Sequence, residues 1–500
     1  MAIPKVCGIE NEFGFQVFDI DGKPINNESS DYREAAHRFV SDYLVKKNAI
    51  PYDFFRESRK SPFLSFFNIF RTREKEEELE EERNHRLRIK QLRKLFGSSD
   101  GFLDNGARFY LDDAHPEYST PECLLPSDLA AYDKASELVI LEALHLFQKQ
   151  FGNKYKLRIR KNNSDRKWDH SYASHLNVSL SRKLVDSKEN FQYLVSQYVP
   201  FQIARLVLIG GGKLGAENGR PECEFQISQR ADFFEELLGI QTVEHRPIFN
   251  TRNEPHADPE KYFRLHDIST DSLMCEYAIF LKAALAQVVL AMIEDKFLEE
   301  NFMPKQPIWA MAQVSRDLKF DIKIELESGK EFTGLEILRY YLLKSKDYLS
   351  ANPLSEEHSV AVNQGLALLD QLEKNPLLTF GKLDWTTTLG IIKSRPADAL
   401  QNALNFREIS DSGLYYEMVK RGKMRRLLTD EQIAKAVNFA PADTRAYARS
   451  EIMKRFRHRV KKMSWGAVEL YHKGRTQIID LEHPALDKKE ADMILSLIES

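Results

Sequence analysis

The sequence predicts a protein of the α+β class. Segments 3–20, 102–112 and 155–182 have the apolar positions and polar turns of β-strands. From 271 to about 375 apolar residues recur at helical spacing instead, interrupted by a strand pair near 319–332. No internal repeat or long low-complexity tract is present. We therefore expect a globular chain that combines strand-rich and helix-rich parts.

The other predicted elements follow the same two periodicities. A helix is predicted over 31–48, and a hairpin turns at Asn105-Gly106, a dipeptide that favours tight turns. Further along, the pattern predicts a helix at 127–150, a polar turn at 162–169, a strand at 223–230 and a last strand at 477–480.

Length and composition indicate an ordinary globular protein with more than one domain. The chain has 500 residues, of which 42% are hydrophobic and 29% charged, and such a chain holds a large domain with a smaller one. We predict a large domain over 1–400 and a small C-terminal domain over 401–500. The net charge of -3 gives no overall nucleic-acid signature, so no nucleic-acid partner is expected.

The cysteines and the most apolar window favour a cytoplasmic protein without a membrane partner. The cysteines are far apart and form no CxxC pair, so neither structural zinc nor a disulfide framework is expected. The N-terminus has no signal-peptide pattern. The window 273–293 carries Glu276 and Lys282, which favours a buried or amphipathic helix over a membrane span.

Residues 50–99 are the most unusual stretch of the sequence. The stretch opens with aromatic residues and continues from Arg71 to Lys94 as a charge-dense run with few apolar residues. Such a run is typical of a solvated helix or a partly disordered insertion. A lid or docking loop beside a functional site fits the same composition, so both interpretations stay open.

Glu10 and Glu12 are the first candidate metal ligands. They lie two residues apart in a predicted strand, so alternation points both carboxylates to one face. Hard oxygen ligands of this kind suit Mg²⁺. An exposed strand face has the same pattern, so the pair alone does not identify a site.

The strand that follows Asn105-Gly106 is the strongest candidate for chemistry. Alternation places Arg108, Tyr110 and Asp112 on one face, and Asp113, His115, Glu117 and Glu122 follow. A strand end rich in acids suits a metal–phosphate site with a nucleophilic or acid–base carboxylate. The alternative is a turn with capping acids.

Further polar segments offer ligands for metals and phosphates. His175 and Asn177 alternate with apolar residues in a predicted strand, and Arg230 ends the predicted strand 223–230. Arginine suits bidentate contact with phosphate oxygens, and two more candidates, Arg252 and His256, lie in the polar segment 250–258.

Arg445 and Arg449 are four residues apart and would share one helix face, although a surface helix with basic side chains is the alternative. The sequence contains neither a GxxxxGK[ST] loop nor a GxGxxG motif at a strand–helix junction. A nucleotide would therefore bind outside P-loop and Rossmann sites.

Eight motifs together resemble the pupylation enzymes, the family of the ligase for prokaryotic ubiquitin-like protein (Pup) and of the depupylase, or deamidase of Pup. The resemblance runs in order from residue 6 to about 467. It implies a glutamine-synthetase-like fold of the carboxylate-amine ligase superfamily: a curved antiparallel sheet that cradles ATP and magnesium, backed by helices, with a small C-terminal domain. The motifs are Gly8-Ile-Glu-Asn-Glu-Phe-Gly14, Asn105-Gly-Ala-Arg-Phe-Tyr-Leu-Asp112, Ala114-His-Pro-Glu-Tyr-Ser-Thr-Pro-Glu-Cys123, Lys161-Asn-Asn163, Ser228-Gln-Arg230, Asn250-Thr-Arg-Asn-Glu-Pro-His-Ala-Asp258, Arg264-Leu-His266 and Asp443-Thr-Arg-Ala-Tyr447.

By position, the resemblance implies that Asp112 is the catalytic carboxylate. It implies magnesium ligands at Glu10, Glu12, Glu117 and His175, and His256 at the metals or phosphates. It also implies nucleotide-side residues at Tyr110, Asn177, Arg230, Arg252, Arg445 and Arg449. The implied partners are Pup, or an analogous tag, and its lysine-linked conjugates.

Within the family the sequence favours the depupylase. The opening motif at 8–14 resembles the ligase, whereas the insertion at 50–99 and the segments 113–122 and 443–447 resemble the depupylase. We therefore expect an ATP- and Mg-dependent hydrolase, with a ligase as the alternative. Departures from the family pattern leave open a diverged, non-catalytic relative or an enzyme for another tag; they lie at Leu176, Asn253, Thr388 and 405–410.

Overall fold

The computed structural model describes residues 2–54, 98–112, 114–165 and 171–499. Most of the unusual stretch 50–99 lies outside these residues, as does Asp113, so the expectations for them stay predictions. The described part confirms the α+β class, with separate strand-rich and helix-rich parts.

The strands and α-helices of the described residues are numbered in chain order. The strands are β1 (Cys7–Glu12), β2 (Gly14–Asp19), β3 (Ile50–Pro51), β4 (Asp100–Phe102), β5 (Arg108–Asp112), β6 (His115–Ser119), β7 (Tyr155–Arg160), β8 (Ser174–Ser181), β9 (Lys213–Leu214), β10 (Phe225–Gln226), β11 (Phe234–Gly239), β12 (Arg246–Asn250), β13 (Tyr262–Asp267), β14 (Ile324–Glu325), β15 (Glu331–Phe332), β16 (Val460–Met463), β17 (Ala467–His472) and β18 (Arg475–Asp480). The helices are α1 (Ser30–Lys46), α2 (Pro126–Phe151), α3 (Lys188–Ala204), α4 (Leu206–Ile209), α5 (Glu276–Glu294), α6 (Pro307–Arg316), α7 (Gly334–Ala351), α8 (Glu356–Lys374), α9 (Asp384–Ser394), α10 (Ala399–Phe406), α11 (Leu414–Lys420), α12 (Asp430–Asn438), α13 (Arg445–Phe456) and α14 (Lys488–Glu499).

A seven-stranded antiparallel sheet in the order β13-β8-β1-β6-β5-β4-β3 positions the polar side chains. The central strand β1 places Glu10 opposite His175 of β8 and Glu12 opposite Glu117 of β6. Alternate residues of these strands, such as Ile9, point into the apolar core. The acids and histidines therefore share the other face.

Two sequence predictions are refined by this sheet. The segment 3–20 is two strands, because the chain leaves the main sheet after β1 and β2 pairs with β7 instead. The hairpin at Asn105-Gly106 is confirmed as β4 and β5 joined by a short loop. Gly106 has φ +81°, and a Cβ there would lie 3.2 Å from the Ala446 carbonyl oxygen, so glycine suits both the turn and the packing.

Helix α5 is the centre of the core behind the sheet. Nearly all its side chains from Ala278 to Ile293 are buried, as expected for a helix that is apolar on every side. Its length and composition would allow it to cross a membrane, and no other helix in the described part of the chain meets that criterion. However, 94% of its most apolar window is buried inside the protein. The predicted buried helix at 273–293 is thus confirmed.

The C-terminal residues 445–499, which we call the terminal unit, have an apolar core of their own. It is built from α13, α14 and the sheet β16-β17-β18, and it includes Ile50, Tyr52 and Phe102 from the edge of the main sheet. The Asp53 backbone N–H joins this edge to the terminal unit by donating to the Met463 carbonyl oxygen at 2.8 Å.

Residues 401–436 do not belong to the terminal unit. Their apolar side chains, among them Phe406, Met418 and Ile433, pack into the core of the large domain. The sequence predicts a small C-terminal domain from residue 401, whereas the separate core starts near Arg445.

Candidate functional site

The polar face of the main sheet is the floor of a cleft of about 720 Å³. Neighbouring strands supply its charged side chains, since every second residue of each strand points to this face. They are Arg264 and His266 of β13, His175 of β8, Glu10 and Glu12 of β1, His115 and Glu117 of β6, and Arg108, Tyr110 and Asp112 of β5. Arg230, Arg252 and His256 line it from outside these strands.

Glu12, Asp112 and Glu117 form the carboxylate cluster, in which one oxygen of each lies within 4.8 Å of the others. The Tyr110 hydroxyl donates a hydrogen bond to Glu117 Oε1. Burial and the charge of Asp112 raise the pKa of Glu12 to about 8. Burial and the charge of Glu12 raise the pKa of Glu117. Three carboxylates this close suit a hard divalent cation, which would offset their repulsion.

Glu10, His175 and His266 form the histidine cluster beside it, with ligand atoms within 4.8 Å of one another. His175 Nδ1 lies 3.3 Å from Glu10 Oε2. Burial lowers the pKa of His175, and burial with the charge of Arg264 lowers the pKa of His266 well below its ordinary value. Both imidazoles are therefore neutral at pH 7, which is the form that binds metals.

Asn177 and Arg264 hold the histidine cluster from the β13 side. Arg264 Nη1 donates to Asn177 Oδ1 at 2.6 Å, and His266 Nδ1 lies 2.9 Å from the same oxygen. Burial opposes ionisation of Glu10, but the hydrogen bond from His175, the electrostatic effect of His266 and the charge of Arg264 together lower its pKa. Glu10 is thus an anion among cationic and polar groups.

Arg230 is the strongest candidate for an anion contact. Its side chain is buried, and its Nε and Nη1 have no hydrogen-bond partner among the described residues. Burial and the charge of Arg246 lower the pKa of Arg230 to about 10, so it remains a cation at pH 7. Arg252 Nε, also facing the cleft, lacks a hydrogen-bond partner within the same part of the chain. A buried, unpaired guanidinium suits a phosphate oxygen.

A turn fixed by Asp271 presents Arg230 to the cleft. Asp271 accepts hydrogen bonds from the Ser228 hydroxyl at 3.0 Å and from the Gln229 backbone N–H at 2.8 Å. The Ser228 hydroxyl oxygen in turn accepts from the Arg230 backbone N–H at 3.1 Å. The predicted strand 223–230 is confirmed only at Phe225–Gln226. Over residues 228–230, hydrogen bonds to the side chains of Asp271 and Ser228 take the place of backbone pairing with another strand.

A second, small cavity of about 90 Å³ adjoins the cleft, and Glu10, His256 and Arg264 line both. Asn177, Arg445 and Trp465 also line the small cavity. Arg445 Nε donates to Glu122 Oε1 at 2.7 Å, and its Nη1 donates to the His256 carbonyl oxygen at 2.7 Å. The terminal unit thus contributes directly to this region.

Arg449 lies outside both cavities and is fully buried. Its guanidinium pairs with the carboxylate of Glu122 and donates to the carbonyl oxygens of Gly106 and Trp465. The predicted role of Arg449 in binding a cofactor has no support in this geometry, because its donors serve to fix the terminal unit.

His266 is a site residue to which the sequence interpretation gave no role. It alternates with Arg264 in β13, which places both side chains on the polar face. Its signals in the sequence are that alternation and its place in the motif Arg264-Leu-His266. The pairing of β13 with β8, which brings His266 beside Asn177 and near His175, is set by tertiary structure.

Comparisons with known proteins identify the family. The family model described as Pup-ligase protein matches residues 5–469. A depupylase of Acidothermus cellulolyticus is 35% identical over 396 residues, which cover 76% of this chain and 77% of that protein. A Pup–protein ligase of Acidimicrobium ferrooxidans is 32% identical over 419 residues, which cover 80% of this chain and 90% of that protein.

Two solved structures of the Pup ligase PafA have the same fold. The complex of Pup and its ligase PafA matches with a TM-score of 0.79 and 25% identity, covering 99% of this chain and 92% of that one. PafA in complex with ADP matches with a TM-score of 0.73 and 26% identity, covering 84% and 94%. The chain therefore belongs to the Pup-ligase family, whose members include both Pup ligases and depupylases.

Proposed function

We propose that this protein is a depupylase- and deamidase-like hydrolase that uses ATP and Mg²⁺ as cofactors. It cleaves the side-chain amide or isopeptide bond at the C-terminal Gln or Glu of Pup or an analogous tag. The observation that carries the proposal is the meeting of the carboxylate cluster, the histidine cluster and the unpaired Arg230 in one cleft. Cation ligands beside a buried guanidinium suit a metal–nucleotide complex.

The donor set fits magnesium. We assign Glu10, Glu12, Glu117 and His175 as its ligands, with His256 at the metal or the phosphates, because these groups line one cleft and are mostly hard oxygen donors. When bound, the metal would supply positive charge that stabilises negative charge on the substrate carbonyl oxygen. Tyr110 orients Glu117 through its hydroxyl.

Two arginines with buried, unpaired N–H groups fit nucleotide phosphates. Arg230 and Arg252 supply guanidinium N–H groups that have no hydrogen-bond partner among the described residues. The small cavity with Asn177, His256 and Arg445 offers room for another part of the nucleotide. The crystallisation of a related PafA with ADP supports the same cofactor class here.

Asp112 is the proposed catalytic carboxylate. It is exposed at the end of β5, while Glu117 beside it is buried, so a substrate can reach Asp112. It attacks the side-chain carbonyl carbon, or takes a proton from a water that attacks this carbon. In either route the C–N bond breaks, one water is consumed, and the nitrogen leaves with a proton as ammonia or as the lysine amine.

The choice of hydrolysis over ligation rests on the sequence features at 50–99, 113–122 and 443–447, which resemble the depupylase. A ligase is the second candidate, supported by the opening motif at 8–14 and by the structural likeness to PafA. In that reaction the side-chain carboxylate of the C-terminal glutamate of Pup would take the terminal phosphoryl group of ATP, which releases ADP. The lysine amine would then displace phosphate to form the amide bond, and Asp112 would take the proton that this amine loses.

The test is to incubate the protein with Mg²⁺-ATP and a Pup that ends in Gln, and to measure ammonia. The hydrolase proposal predicts ammonia release that Asp112→Asn abolishes while ADP binding persists. In a parallel reaction, Pup ending in Glu is offered with a lysine-containing protein. Conjugation with ATP consumption and no ammonia release would replace the hydrolase by the ligase. Nucleotide binding with neither activity would point to a non-catalytic relative or another tag.

We propose that the main sheet is the curved, glutamine-synthetase-like cradle of the carboxylate-amine ligases. We also propose a cytoplasmic location, which suits the four cysteines that are all free thiols; cell fractionation would test it.

A further inference from the structure

We propose that Arg108 is a positioning residue, which holds Tyr110 and thereby Glu117 in the geometry that binds a divalent cation. The inference rests on the proposed function, since it takes the carboxylate cluster to be a cation site. It extends that function to a residue that does not itself belong to the cluster.

The guanidinium of Arg108 is clamped on three sides. Its Cζ lies 3.8 Å from the ring centroid of Tyr52 and 3.9 Å from that of Tyr110, so the group is stacked between two aromatic rings. Its edge is held by Asp100, with Nε donating to Oδ1 at 2.8 Å and Nη2 donating to Oδ2 at 3.0 Å. A guanidinium with two contacts to one carboxylate cannot turn without breaking both.

This clamp determines the position of the Tyr110 hydroxyl. A tyrosine side chain has two torsions, and a ring stacked flat on a fixed plane loses freedom in both. β5 and β6 place Tyr110 opposite Glu117, and the Tyr110 hydroxyl donates to Glu117 Oε1. Arg108 therefore acts on the carboxylate cluster through one intervening ring. Partners of this kind orient metal ligands and tune their affinity.

The other wall of the clamp packs into the core of the terminal unit. Tyr52 is 1% exposed and packs against Phe102, with ring centroids 5.6 Å apart, and Phe102 packs against Trp465 at 5.1 Å. Trp465 lines the small cavity, and Tyr110 lines the cleft. A continuous row of packed aromatic rings thus joins the two cavities, with Arg108 at the point where it reaches the carboxylate cluster.

Arg108 is a poor candidate for a direct phosphate contact. Its bidentate pair with Asp100 already uses the Nε and Nη2 edge of the guanidinium, and its two faces are covered by Tyr52 and Tyr110. This separates it from Arg230, whose Nε and Nη1 have no hydrogen-bond partner within the described residues. We therefore expect Arg108 to change cation affinity and not to bind the nucleotide itself.

A double-mutant cycle between Arg108 and Tyr110 tests the inference. Mn²⁺ is titrated into the full-length protein and free Mn²⁺ is followed by electron paramagnetic resonance; the relevant site is the one that Glu117→Gln weakens. Arg108→Met and Tyr110→Phe should each weaken Mn²⁺ binding by roughly 10-fold. The double variant should be within about twofold of Tyr110→Phe, because without the hydroxyl the ring position no longer affects Glu117.

Three controls make the outcomes separable. Arg158→Met removes an arginine that stacks on Phe18 on the exposed side of another sheet and should leave Mn²⁺ affinity unchanged. Arg108→Lys keeps the charge but lacks the planar group, so its Mn²⁺ affinity should lie between those of Arg108→Met and the wild type. This variant replaces Arg108→Met in the test if the methionine variant does not fold. Thermal unfolding checks the fold of each variant.

The results that would overturn the inference are distinct from failure of the proposed function. If the effects of Arg108→Met and Tyr110→Phe multiply in the double variant, Arg108 acts independently of Tyr110 and the inference is wrong. If Tyr110→Phe weakens Mn²⁺ binding and Arg108→Met does not, it is also wrong, although the cation site stands. If the wild type binds no Mn²⁺, the cation site itself is refuted.

Discussion

Glu12→Gln tests whether the carboxylate cluster is built for a cation, because it removes one negative charge and keeps the side-chain shape. The pKa of Glu12 is raised from its ordinary 4.5 to about 8 by burial and by Asp112. A carboxyl group whose pKa is higher in the folded than in the unfolded state contributes its full stabilisation at pH values below the unfolded-state pKa. That contribution is lost as the pH rises from the unfolded-state pKa to the folded-state pKa. In EDTA, the wild type should therefore lose stability between about pH 4.5 and pH 8.

The size of this loss follows from the pKa difference. At 1.36 kcal/mol for each pH unit, the step from 4.5 to about 8 corresponds to at most about 5 kcal/mol. An entropy of unfolding of about 2.1 cal/mol/K per residue gives a chain of 500 residues roughly 1 kcal/mol per degree. In EDTA at pH 8.5, Glu12→Gln should therefore raise the melting temperature by up to about 5 °C, with little change at pH 5.

The assay is thermal unfolding with and without Mg²⁺. Added Mg²⁺ should stabilise the wild type and should have a much smaller effect on the variant, which has lost a ligand. Glu331→Gln, on the exposed strand β15, is the matched control and should show neither effect. If Glu12→Gln melts at a lower temperature than the wild type in EDTA at pH 8.5, the carboxylates do not repel one another as we infer.

Two further predictions concern the arginines. Arg230→Met should weaken ADP binding, measured by isothermal calorimetry, by roughly 10- to 100-fold, because it removes charge-assisted hydrogen bonds worth about 1.5–3 kcal/mol; an unchanged affinity would remove Arg230 from the nucleotide site. Arg449→Met should lower the free energy of unfolding by about 3–5 kcal/mol, because Glu122 loses a buried partner. The pKa of Glu122 is held at about 2, against burial, by Arg449 and Arg445, so the wild-type advantage should shrink as the pH falls from 4.5 towards 2. Urea denaturation at two pH values measures this, and a pH-independent loss would contradict the ion-pair explanation.

Part of the main sheet is predictable because β1, and most of β5 and β8, alternate between buried and more exposed residues. Period-2 spacing alone places Glu10 with Glu12 and Tyr110 with Asp112. What alternation cannot give is the order of strands. Sequence spacing does not show that Glu117, rather than another acid, lies opposite Glu12.

Two features of the structure were not contained in the sequence pattern, and they have a common physical cause. Arg445 and Arg449 share a helix face, as predicted, but Glu122 and the carbonyl oxygens around Arg449 bury it. The predicted boundary at 401 follows a change in the sequence pattern, whereas the cores divide near Arg445. Both differences depend on which side chains meet in space, which the local pattern of one segment does not contain.

The central position of β1 has a consequence for biosynthesis. Glu10 pairs with Ser119 on one side and His175 on the other, so β1 leaves the ribosome before either of its partner strands is translated. At about 5–20 residues per second, the partner 165 residues downstream follows roughly 8–30 s later. During this interval the nascent chain has the candidate ligands Glu10 and Glu12 but not yet the strands that complete the carboxylate and histidine clusters. The loss of entropy on closing such long loops makes assembly of the sheet a late step in folding.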